Sequence, residues 1–504
     1  MPTAREIARF LGARSVGSTS PLPILDIVDD SRSVCAGDAY LAIPGARRHG
    51  LDFEDDVAAA GAALVISDRP ARLLPTVVVD DPRRIAGPLA DWFHRRPSAD
   101  LAVYGVTGTN GKSSTAAMVH AGLVGAGREP GLMSGIEITG PGVALAPTRT
   151  TPEATVVHRT LDLFRRGGCD SAVVEVSSHA AVHRRVDGVR FRSVALTNLA
   201  PEHLDFHGSM EAYYRAKTSL FTADRTGRAV VCVDDEHGRR LAREVGVPVT
   251  TCSVSDTPAD VHAVDVRAPD TEADHLGHRF VVHTPVGDAE VRLQVLGPHQ
   301  VANAVVAAAV LVGDGLPVEA VAQGISALRS IPGRCEPGRV GQLFTALVDH
   351  MHNVAGHRAT LPYLRSRTPG RLIVVIGATG DRDPAKRRPI GATAAAYADL
   401  VVVTDESPGS EDPAAIRAEV TAGAVGAGRA EVLEVADRDE AFRVAVTGAR
   451  RGDTIVVAGR GSDLRREYGS QVVAFDDHAR LAQAVADLTP WTGPGTGGPP
   501  ARRT

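Results

Sequence analysis

Short apolar runs that end in polar residues recur along the chain and predict an α/β protein. Near the start, the runs ILDIVDD, AALVISD and TVVVDD each close on aspartate, as strands of a small α/β unit would. Later runs such as DSAVVEVSS and RSVALTNL alternate with helical stretches such as HQVANAVVAAAVLVGDG. Continuous apolar strands that alternate with helices indicate a parallel sheet covered on both faces.

The last third of the chain repeats one pattern, an apolar strand that runs directly into a polar turn containing glycine. The three copies are RLIVVIGATGDRD, ADLVVVTDESPG and DTIVVAGRGSD. Ligands of open α/β sheets bind at the carboxyl ends of the strands. We therefore expect these three turns to line one crevice.

Shifts in composition divide the chain into four segments. The polar stretch HRRPSAD separates an N-terminal α/β domain, residues 1–99, from a central parallel-sheet domain over 100–333. A third domain, Rossmann-like, is predicted over 334–489. The tail 490–504 is rich in proline and glycine, which predicts disorder.

Charge, hydropathy and cysteine usage exclude several classes of protein. The net charge of −5 argues against a nucleic-acid binder. The chain has no run of roughly 18 apolar residues and no signal-peptide core near its start, so we expect a cytoplasmic protein without a membrane partner. The five cysteines never occur in C-x-x-C spacing, which favours reduced thiols.

The segment GVTGTNGKSSTAAMVHAGL at 105–123 predicts a strand end, a glycine loop and a helix. The general phosphate-loop pattern G-x-x-x-x-G-K-[ST] requires glycine at position 106, where this chain has Val106. The loop nevertheless precedes a helix, whose free N–H groups and dipole favour an anion. We expect Lys112 to reach the terminal phosphates and Ser113 to offer its hydroxyl to Mg²⁺. The alternative is a glycine turn with a lysine there by chance.

Two segments downstream supply candidate metal ligands. Glu175 lies inside the apolar run AVVEV, where an unpaired carboxylate is costly to bury, so we favour a Mg²⁺ ligand over a strand-capping glutamate. His203 and His207 are spaced i, i+4 and could form half of a zinc site. No third ligand follows at a suitable spacing, so surface histidines are the simpler interpretation.

Six segments together resemble the Mur ligases, which build the peptide stem of peptidoglycan. They are GTNGKSS, EVSSH, TNLAPEHLDFHGSMEAYYRAKTSLF, GRCE, GATGDRDPAKRRPIG and SEDP. The resemblance extends from about residue 30 to about residue 474 and is nearest to the branch that adds the third stem residue. The loop of that family is usually T-G-T-N-G-K-[ST], so Val106 is expected.

The resemblance implies an ATP site and two Mg²⁺ ions. One ion would be shared by Ser113, Glu175 and His203, and the second would bind Lys217 after its carbamylation by CO₂. Without carbamylation, Lys217 is interpreted as a lysine on a helix surface. Arg334 would approach the phosphates. The implied ATP-binding residues are Gly108, Thr109, Asn110, Gly111, Lys112, Ser113, Asn303 on the adenine side and Asp349 near the ribose.

For the carboxylate substrate, the resemblance implies a uridine-nucleotide segment in the first domain and muramyl-peptide contacts in the second. His183 stands where glutamine is usual. The implied residues are Ser31 and Arg32 for the nucleotide and Thr150, Thr151, Ser177, His183 and Arg185 for the peptide.

The chain departs from the family's motifs at the amine-binding end. The family's D-Y-A-H-x-P is DHMHNVAG at 349–356, and its G-K-G-H-E is GRGSD at 459–463. Its D-N-P-R is ESPG at 406–409, which lacks the arginine that would hold the amino acid's carboxylate. We therefore hypothesise that the protein adds an amine different from the one that these family motifs select. The candidate amine-site residues are His352, Arg382, Glu406, Glu411, Gly459 and Asp463.

The sequence therefore predicts a monomeric ATP-dependent acid–amino-acid ligase, ADP-forming, that acts on small molecules through an acyl phosphate. Its carboxylate substrate would be a molecule such as UDP-muramyl dipeptide. The alternative is a paralogue of specialised metabolism that acts on a different, non-muramyl acceptor. Three rivals remain, a catalytically silent Mur-like binding protein, an ATPase that drives motion, and a folate-type or cyanophycin-type ligase. A silent protein would be expected to lose Lys112, Glu175 or Lys217, which are all present.

Overall fold

The computed structural model describes residues 1–17, 23–45, 48–267, 277–338 and 341–488, which form two compact units. The first unit holds the described residues of 1–267, together with 279–293 and 300–328. The second holds 277–278, 294–299 and the described residues from 329 onward. The tail over 490–504, predicted to be disordered, lies outside the described residues.

The first unit begins with a five-stranded sheet in the order β1-β5-β4-β3-β2, parallel except for β1. Ile7, Leu41 and Phe93 belong to the core on one face, and Tyr40 and Val65 to the core on the other. The three aspartate-closed runs form β2, β4 and β5, as predicted. The elements are α1 (Ala4–Leu11), β1 (Arg14–Val16), β2 (Ile27–Val28), β3 (Ala39–Leu41), α2 (Glu54–Ala59), β4 (Leu64–Ser67), β5 (Thr76–Val78), α3 (Pro82–Phe93) and α4 (Pro97–Asp100).

The same unit continues into an eleven-stranded sheet in the order β16-β15-β14-β13-β12-β11-β6-β10-β7-β8-β9. Its strands are β6 (Ala102–Thr107), β7 (Pro130–Met133), β8 (Ile138–Gly140), β9 (Val143–Leu145), β10 (Ser171–Glu175), β11 (Ser193–Leu196), β12 (Ala229–Cys232), β13 (Val249–Ser253), β14 (Val261–Arg267), β15 (His278–Thr284) and β16 (Gly287–Leu293). The run from β14 to β7 is parallel. The carboxyl ends of β10, β6 and β11 therefore lie side by side.

Eight helices accompany this sheet among the described residues. They are α5 (Lys112–Gly125), α6 (Ala154–Arg166), α7 (Ser178–Val182), α8 (Leu204–His207), α9 (Met210–Thr218), α10 (Glu236–Glu244), α11 (Pro298–Gly313) and α12 (Val318–Ala327). Helix α11 belongs to the first unit from residue 300 onward, and β15 from residue 279. The alanine-rich run predicted to be helical is α11, which is buried along most of its length.

The second unit contains a six-stranded sheet in the order β17-β18-β22-β19-β20-β21, parallel except for β17. Every residue of β19 and β22 is buried, because helices cover both faces. The elements are β17 (Glu336–Pro337), β18 (Thr345–Asp349), α13 (Val354–Arg367), β19 (Leu372–Ile376), α14 (Arg387–Tyr397), β20 (Leu400–Val403), α15 (Pro413–Gly426), β21 (Glu431–Glu434), α16 (Arg438–Thr447), β22 (Thr454–Ala458), a hairpin of β23 (Arg465–Tyr468) and β24 (Gln471–Ala474), and α17 (Asp477–Leu488).

The three sheets correspond to the N-terminal, central and C-terminal domains of the predicted α/β architecture. The exact domain boundaries at 99 and 333 stay predictions. All five cysteines are free thiols, as expected. Within the described residues, the structure contains no helix that is both long and apolar enough to cross a membrane.

A fully buried ion pair joins the start of α16 to the start of α17. Arg438 donates to both carboxylate oxygens of Asp477, at 2.8 and 2.6 Å, and neither side chain is exposed. The same guanidinium donates to the carbonyl oxygens of Asp405 and Ala458, which follow β20 and end β22. The pair therefore ties two helices to the carboxyl edge of the sheet.

Replacing Arg438 with methionine should destabilise the second unit strongly, because Asp477 would remain buried without its partner. We expect the free energy of unfolding, measured by urea titration with circular dichroism, to fall by about 3–5 kcal/mol. The control is Arg72→Met, which removes an exposed pair with Asp55 and should cost less than about 1 kcal/mol. Equal losses in the two variants would contradict a structural role for the buried pair.

Candidate functional site

The glycine loop connects β6 to α5 and is shaped by two glycines with positive φ. Gly108 has φ 148° and Gly111 has φ 84°, a region that favours glycine. A Cβ atom at position 108 would lie 1.9 Å from Thr197 Oγ1, and one at position 111 would lie 2.1 Å from Asn303 Oδ1. Both positions therefore require glycine for space as well as for backbone conformation.

The loop is held from the end of the neighbouring strand β11. Asn198 accepts from the Asn110 N–H at 3.0 Å and donates to the Asn110 carbonyl at 3.0 Å, and Thr197 Oγ1 donates to the same carbonyl at 2.7 Å. Thr109 Oγ1 donates to the carbonyl of Ala200 at 3.1 Å. These supports were not predicted, although the polar pair T-N directly after an apolar strand is a signal that could have indicated them.

Lys112 and Ser113 form the first turn of α5. Lys112 Nζ donates to the Thr109 carbonyl at 2.8 Å, so its ammonium folds back over the loop. Ala116, Val119 and Leu123 are buried, as predicted for the face that packs on the sheet. The N-terminus of α5 thus presents N–H groups and a lysine at the carboxyl edge of the sheet, an arrangement suited to phosphate.

Asn303 lies next to this loop, on α11. Its Oδ1 accepts from Thr115 Oγ1 at 3.4 Å and approaches Gly111, and its Nδ2 donates to Gln300 Oε1 at 2.8 Å. Gln300 therefore orients Asn303. The predicted contact with adenine stays a prediction.

Glu175 ends β10 beside the loop and is buried. Its Oε2 accepts from the Gly135 N–H at 2.9 Å, and its carbonyl accepts from Thr151 Oγ1 at 2.8 Å. Thr151 Oγ1 in turn accepts from the Ser177 N–H at 3.0 Å. The carboxylate is thus fixed at the edge of the sheet, and its role as a metal ligand stays a prediction.

A second cluster surrounds Thr151. Arg185 is buried, donates to the Thr151 carbonyl at 3.3 Å and pairs with Glu153 at 2.8 Å. Burial lowers the pKa values of Arg185 and of the half-buried His183. Ser177 caps α7, and Thr150 is half-buried beside Thr151.

In the first domain, Ser31 is half-buried, whereas Arg32 is exposed and pairs with Asp30 at 2.7 Å.

Lys217 is not the surface residue that the uncarbamylated interpretation predicted. Only 1% of the residue is exposed, its Nζ donates to the Gly108 carbonyl at 2.6 Å, and it lies 4.7 Å from the centroid of the Tyr213 ring. That alternative is wrong because α9 packs its Tyr213 and Lys217 side against the glycine loop. Burial, with the charge of Lys112 second, lowers the pKa of Lys217 well below its ordinary value. A neutral amine is the form that reacts with CO₂.

Three histidines gather around Phe206 and the start of α7, and one of them, His179, was not predicted. The His179 ring lies 4.7 Å from that of His203 and 5.7 Å from that of His207, and it stacks on Phe206 at 4.2 Å. His207 Nε2 lies 3.0 Å from Ser178 Oγ. In the described parts of the chain, no group of three or more His, Cys, Asp or Glu side chains is placed to hold a metal, so the zinc alternative gains no support. Mg²⁺ requires no such cage, because it keeps waters and binds substrate phosphates.

The three glycine-bearing turns of the second unit meet around Glu406, as predicted. Glu406 is buried and its Oε1 accepts from Thr379 Oγ1 at 2.7 Å. A Cβ atom on Gly459 would lie 2.4 Å from Glu406 Oε2, and one on Gly377 would lie 2.9 Å from Glu406 Cβ. Residues after β19, β20 and β22 therefore line one crevice.

The loop after β20 is ordered by two carboxylates. Glu411 accepts from Arg387 at 2.7 Å and from the Asp381 N–H at 2.6 Å, and the arginine lowers its pKa. Asp381 accepts from the N–H of Ser410 at 2.8 Å, and a Cβ atom on Gly409 would lie 2.2 Å from Asp381 Oδ2. Glu411 is thus engaged in holding the loop, while the neighbouring Arg382 is exposed.

The remaining predicted residues of the second unit lie near the ends of β18 and β22. Asp349 accepts from the N–H groups of Cys335 and Met351, both at 2.7 Å. His352 Nδ1 lies 2.9 Å from the His350 carbonyl. Their substrate contacts stay predictions. Arg334 is half-buried, and Asp463 is exposed and accepts from the N–H of Arg465 at 3.0 Å.

Comparisons with known proteins agree with this geometry. The Mur ligase family, catalytic domain, matches residues 26–87, the Mur ligase middle domain matches 106–311, and the Mur ligase, glutamate ligase domain, matches 333–461. UDP-N-acetylmuramoyl-L-alanyl-D-glutamate–2,6-diaminopimelate ligase of Streptomyces avermitilis is 41% identical over 496 residues, covering 96% of this chain and 97% of the relative. The enzyme with that name from Corynebacterium glutamicum is 41% identical over 501 residues, 95% of each chain.

Solved structures show the same architecture. A structure of a UDP-N-acetylmuramoyl-L-alanyl-D-glutamate–2,6-diaminopimelate ligase has a TM-score of 0.65 at 25% identity and covers 96% of this chain and 99% of that chain. The MurF ligase of Thermotoga maritima in complex with ADP has the same TM-score at 19% identity, covering 93% and 98%, which shows the fold.

The chain belongs to the Mur ligase family. It is an ATP-dependent, ADP-forming ligase that makes amide bonds.

Gly111→Ala should abolish tight nucleotide binding, because the added methyl group would collide with Asn303 and strain a positive φ. We expect the affinity for ATP, measured by isothermal titration calorimetry, to fall more than about tenfold. Gly127→Ala is the matched control, since Gly127 has φ 73° with open space around its Cβ position. Unchanged affinity in Gly111→Ala would contradict the assignment of the loop.

Proposed function

We propose that this ligase adds an amine to the carboxylate of a UDP-linked muramyl dipeptide, and that the amine is not 2,6-diaminopimelate. The substrate named for the 41% identical relatives, UDP-N-acetylmuramoyl-L-alanyl-D-glutamate, supports the first part. The second part rests on the residues at 349–356, 406–409 and 459–463, set against the motifs that the resemblance to the family implies.

The chemistry joins two substrates at the expense of ATP. A carboxylate oxygen attacks the γ-phosphorus and ADP leaves, which gives an acyl phosphate. The amine nitrogen then attacks the acyl carbon, the tetrahedral intermediate expels phosphate, and the nitrogen loses a proton. The protein contributes position and charge. Lys112 and the N–H groups at the start of α5 neutralise charge on the phosphates, and Arg334 is proposed to add a second positive group.

The residues beside the loop fit Mg²⁺, whose charge would offset that of the phosphates. Ser113, Glu175 and His203 would hold one ion, since hydroxyl and carboxylate oxygens are hard ligands. Lys217, as a carbamate, would hold a second. The buried amine supports that assignment, because an ammonium in this place would repel both Lys112 and the metal.

Three features of the second unit support a different amine. Gly409 carries no side chain, and the carboxylate of Asp381 fills the space into which a side chain at 409 would extend. Glu406 supplies a buried acidic group in the crevice. Asp463 is exposed and one methylene shorter than the family's glutamate. Position 409 therefore supplies no side chain to hold a second carboxylate, which leaves the exposed Arg382 as the candidate for that contact.

A phosphate-release assay with the purified enzyme, ATP, UDP-muramyl dipeptide and a panel of amino acids tests the proposal. We expect turnover with an amine other than diaminopimelate. Glu406→Gln should raise the KM for that amine about tenfold and leave the KM for ATP unchanged. Glu431→Gln, an exposed glutamate on β21, is the matched control. Turnover with diaminopimelate alone would overturn the altered specificity.

Lys217→Ala should lower kcat by about 100-fold, because a charged group next to the phosphates is lost. If the functional group is a carbamate, added acetate should restore part of the activity by entering the space that the side chain leaves. Lys217→Gln is the control, because its amide fills that space and should not be rescued. Full activity of Lys217→Ala without acetate would contradict the proposed role.

A further inference from the structure

Three arginines of the first unit converge on the carboxylate of Glu153, which lies directly before α6. Arg83 is on α3, Arg149 precedes Glu153 in the same loop, and Arg185 follows α7. Their guanidinium nitrogens lie 3.9, 2.8 and 2.8 Å from the carboxylate oxygens of Glu153. This arginine cluster, which consists of Arg83, Arg149, Arg185 and Glu153, therefore sets three positive charges against one negative charge.

The acidic residues nearby do not balance the cluster. Asp30 pairs with Arg32 at 2.7 Å, and Asp29 accepts a hydrogen bond from Thr155 Oγ1 at 3.0 Å. Burial, with repulsion from Glu153 second, raises the pKa of Asp29 to about 6, which is the opposite of the shift that a bound guanidinium causes. Among the described residues, no carboxylate other than that of Glu153 lies within ion-pair distance of the three arginines.

The excess charge acts on the titratable groups of the cluster and its surroundings. Burial lowers the pKa of Arg185, Glu153 opposes that effect, and Arg149 and Arg83 add to it. Burial also lowers the pKa of His183, and the charges of Arg83 and Arg185 come next. Like charges repel when they are held together, and groups of one sign attract a ligand of the opposite sign. The cluster is therefore suited to an anion.

Two of the three guanidinium groups can be reached from solvent. The side chain of Arg149 is 55% exposed and that of Arg83 is 32% exposed, whereas that of Arg185 is only 9% exposed. Glu153 Oε1 contacts Arg149 and Glu153 Oε2 contacts Arg83, so one carboxylate holds the two outer guanidinium groups near each other. A planar guanidinium can bind a carboxylate through two parallel hydrogen bonds.

Hydrogen bonds connect the cluster to the edge of the sheet that carries the glycine loop. Arg185 donates to the Thr151 carbonyl at 3.3 Å, and Thr151 Oγ1 donates to the Glu175 carbonyl at 2.8 Å. Glu175 pairs with Val106 of β6, the strand that leads into the glycine loop. An anion on the cluster would therefore be bound on the side of the sheet where the phosphates are expected.

We propose that Arg83 and Arg149 bind the substrate carboxylate that ATP does not activate. This inference rests on the proposed function, whose muramyl dipeptide ends in glutamate. A terminal glutamate carries two carboxylates, and only one of them receives the phosphate and then the amine. Binding of the other carboxylate by the cluster leaves the reacting one to face the nucleotide, so the cluster selects which of the two is activated.

A cycle of changes in both protein and ligand tests this contact. Isothermal titration calorimetry of the full chain, with a non-hydrolysable ATP analogue present, measures the affinity for UDP-N-acetylmuramoyl-L-alanyl-D-glutamate. It also measures the affinity for the analogue whose non-reacting carboxylate is an amide. Arg149→Met should weaken binding of the acid at least about tenfold and change binding of the amide by less than about twofold, because the amide offers no charge to the arginine.

A second variant and a control complete the design. Arg83→Met, a change on a separate element, should show the same pattern as Arg149→Met. Arg84→Met changes an exposed arginine on the same helix as Arg83 and is the matched control, so it should bind both ligands as the unaltered chain does.

The possible failures are distinguishable. Equal losses for acid and amide in both variants would overturn the assignment, because the arginines would then contact another group such as the diphosphate. Unchanged binding of the acid in both variants would overturn it as well, and in either case the proposed function stands. If the unaltered chain binds neither ligand, the proposed function fails and this inference fails with it.

Discussion

The hydrogen bond from the buried Lys217 amine to the Gly108 carbonyl joins the glycine loop to helix α9. Because this amine is enclosed, a shift of the loop would expose the amine or leave it buried without its hydrogen-bond partner. The same helix places Tyr213 under Thr109, at 3.1 Å between their hydroxyl oxygens. Contacts between the loop and α9 therefore determine the shape of the loop and the position of α9 together, and with them the surroundings of Glu175.

Several features could be predicted from the sequence because they are local. The continuous apolar runs of β19 and β22 indicate buried parallel strands, and the turns after them converge as the rule for open α/β sheets requires. The G-K-S tripeptide at the start of a helix predicts the phosphate end. The family's motifs then indicate the fold almost from end to end.

Other features could not be predicted because they depend on contacts distant in sequence. The alternative that placed Lys217 on a helix surface could not be excluded from the sequence, because the pattern of α9 alone does not say which of its faces is covered. Asn198 supports Asn110 from 88 residues away, and only the pairing of β6 with β11 brings them together. Likewise, the sequence shows that Gly409 lacks a side chain, but not that Asp381 fills the space beside it.

The central position of β6 in its sheet protects the start of the glycine loop from local opening. In the eleven-stranded sheet, six strands lie on one side of β6 and four on the other. Local opening of a sheet starts at its edges, where strands have one neighbour only. The glycine loop therefore follows a central strand, whereas β9 and β16 lie at the two edges of the sheet. One strand order thus places the loop where the sheet is held from both sides.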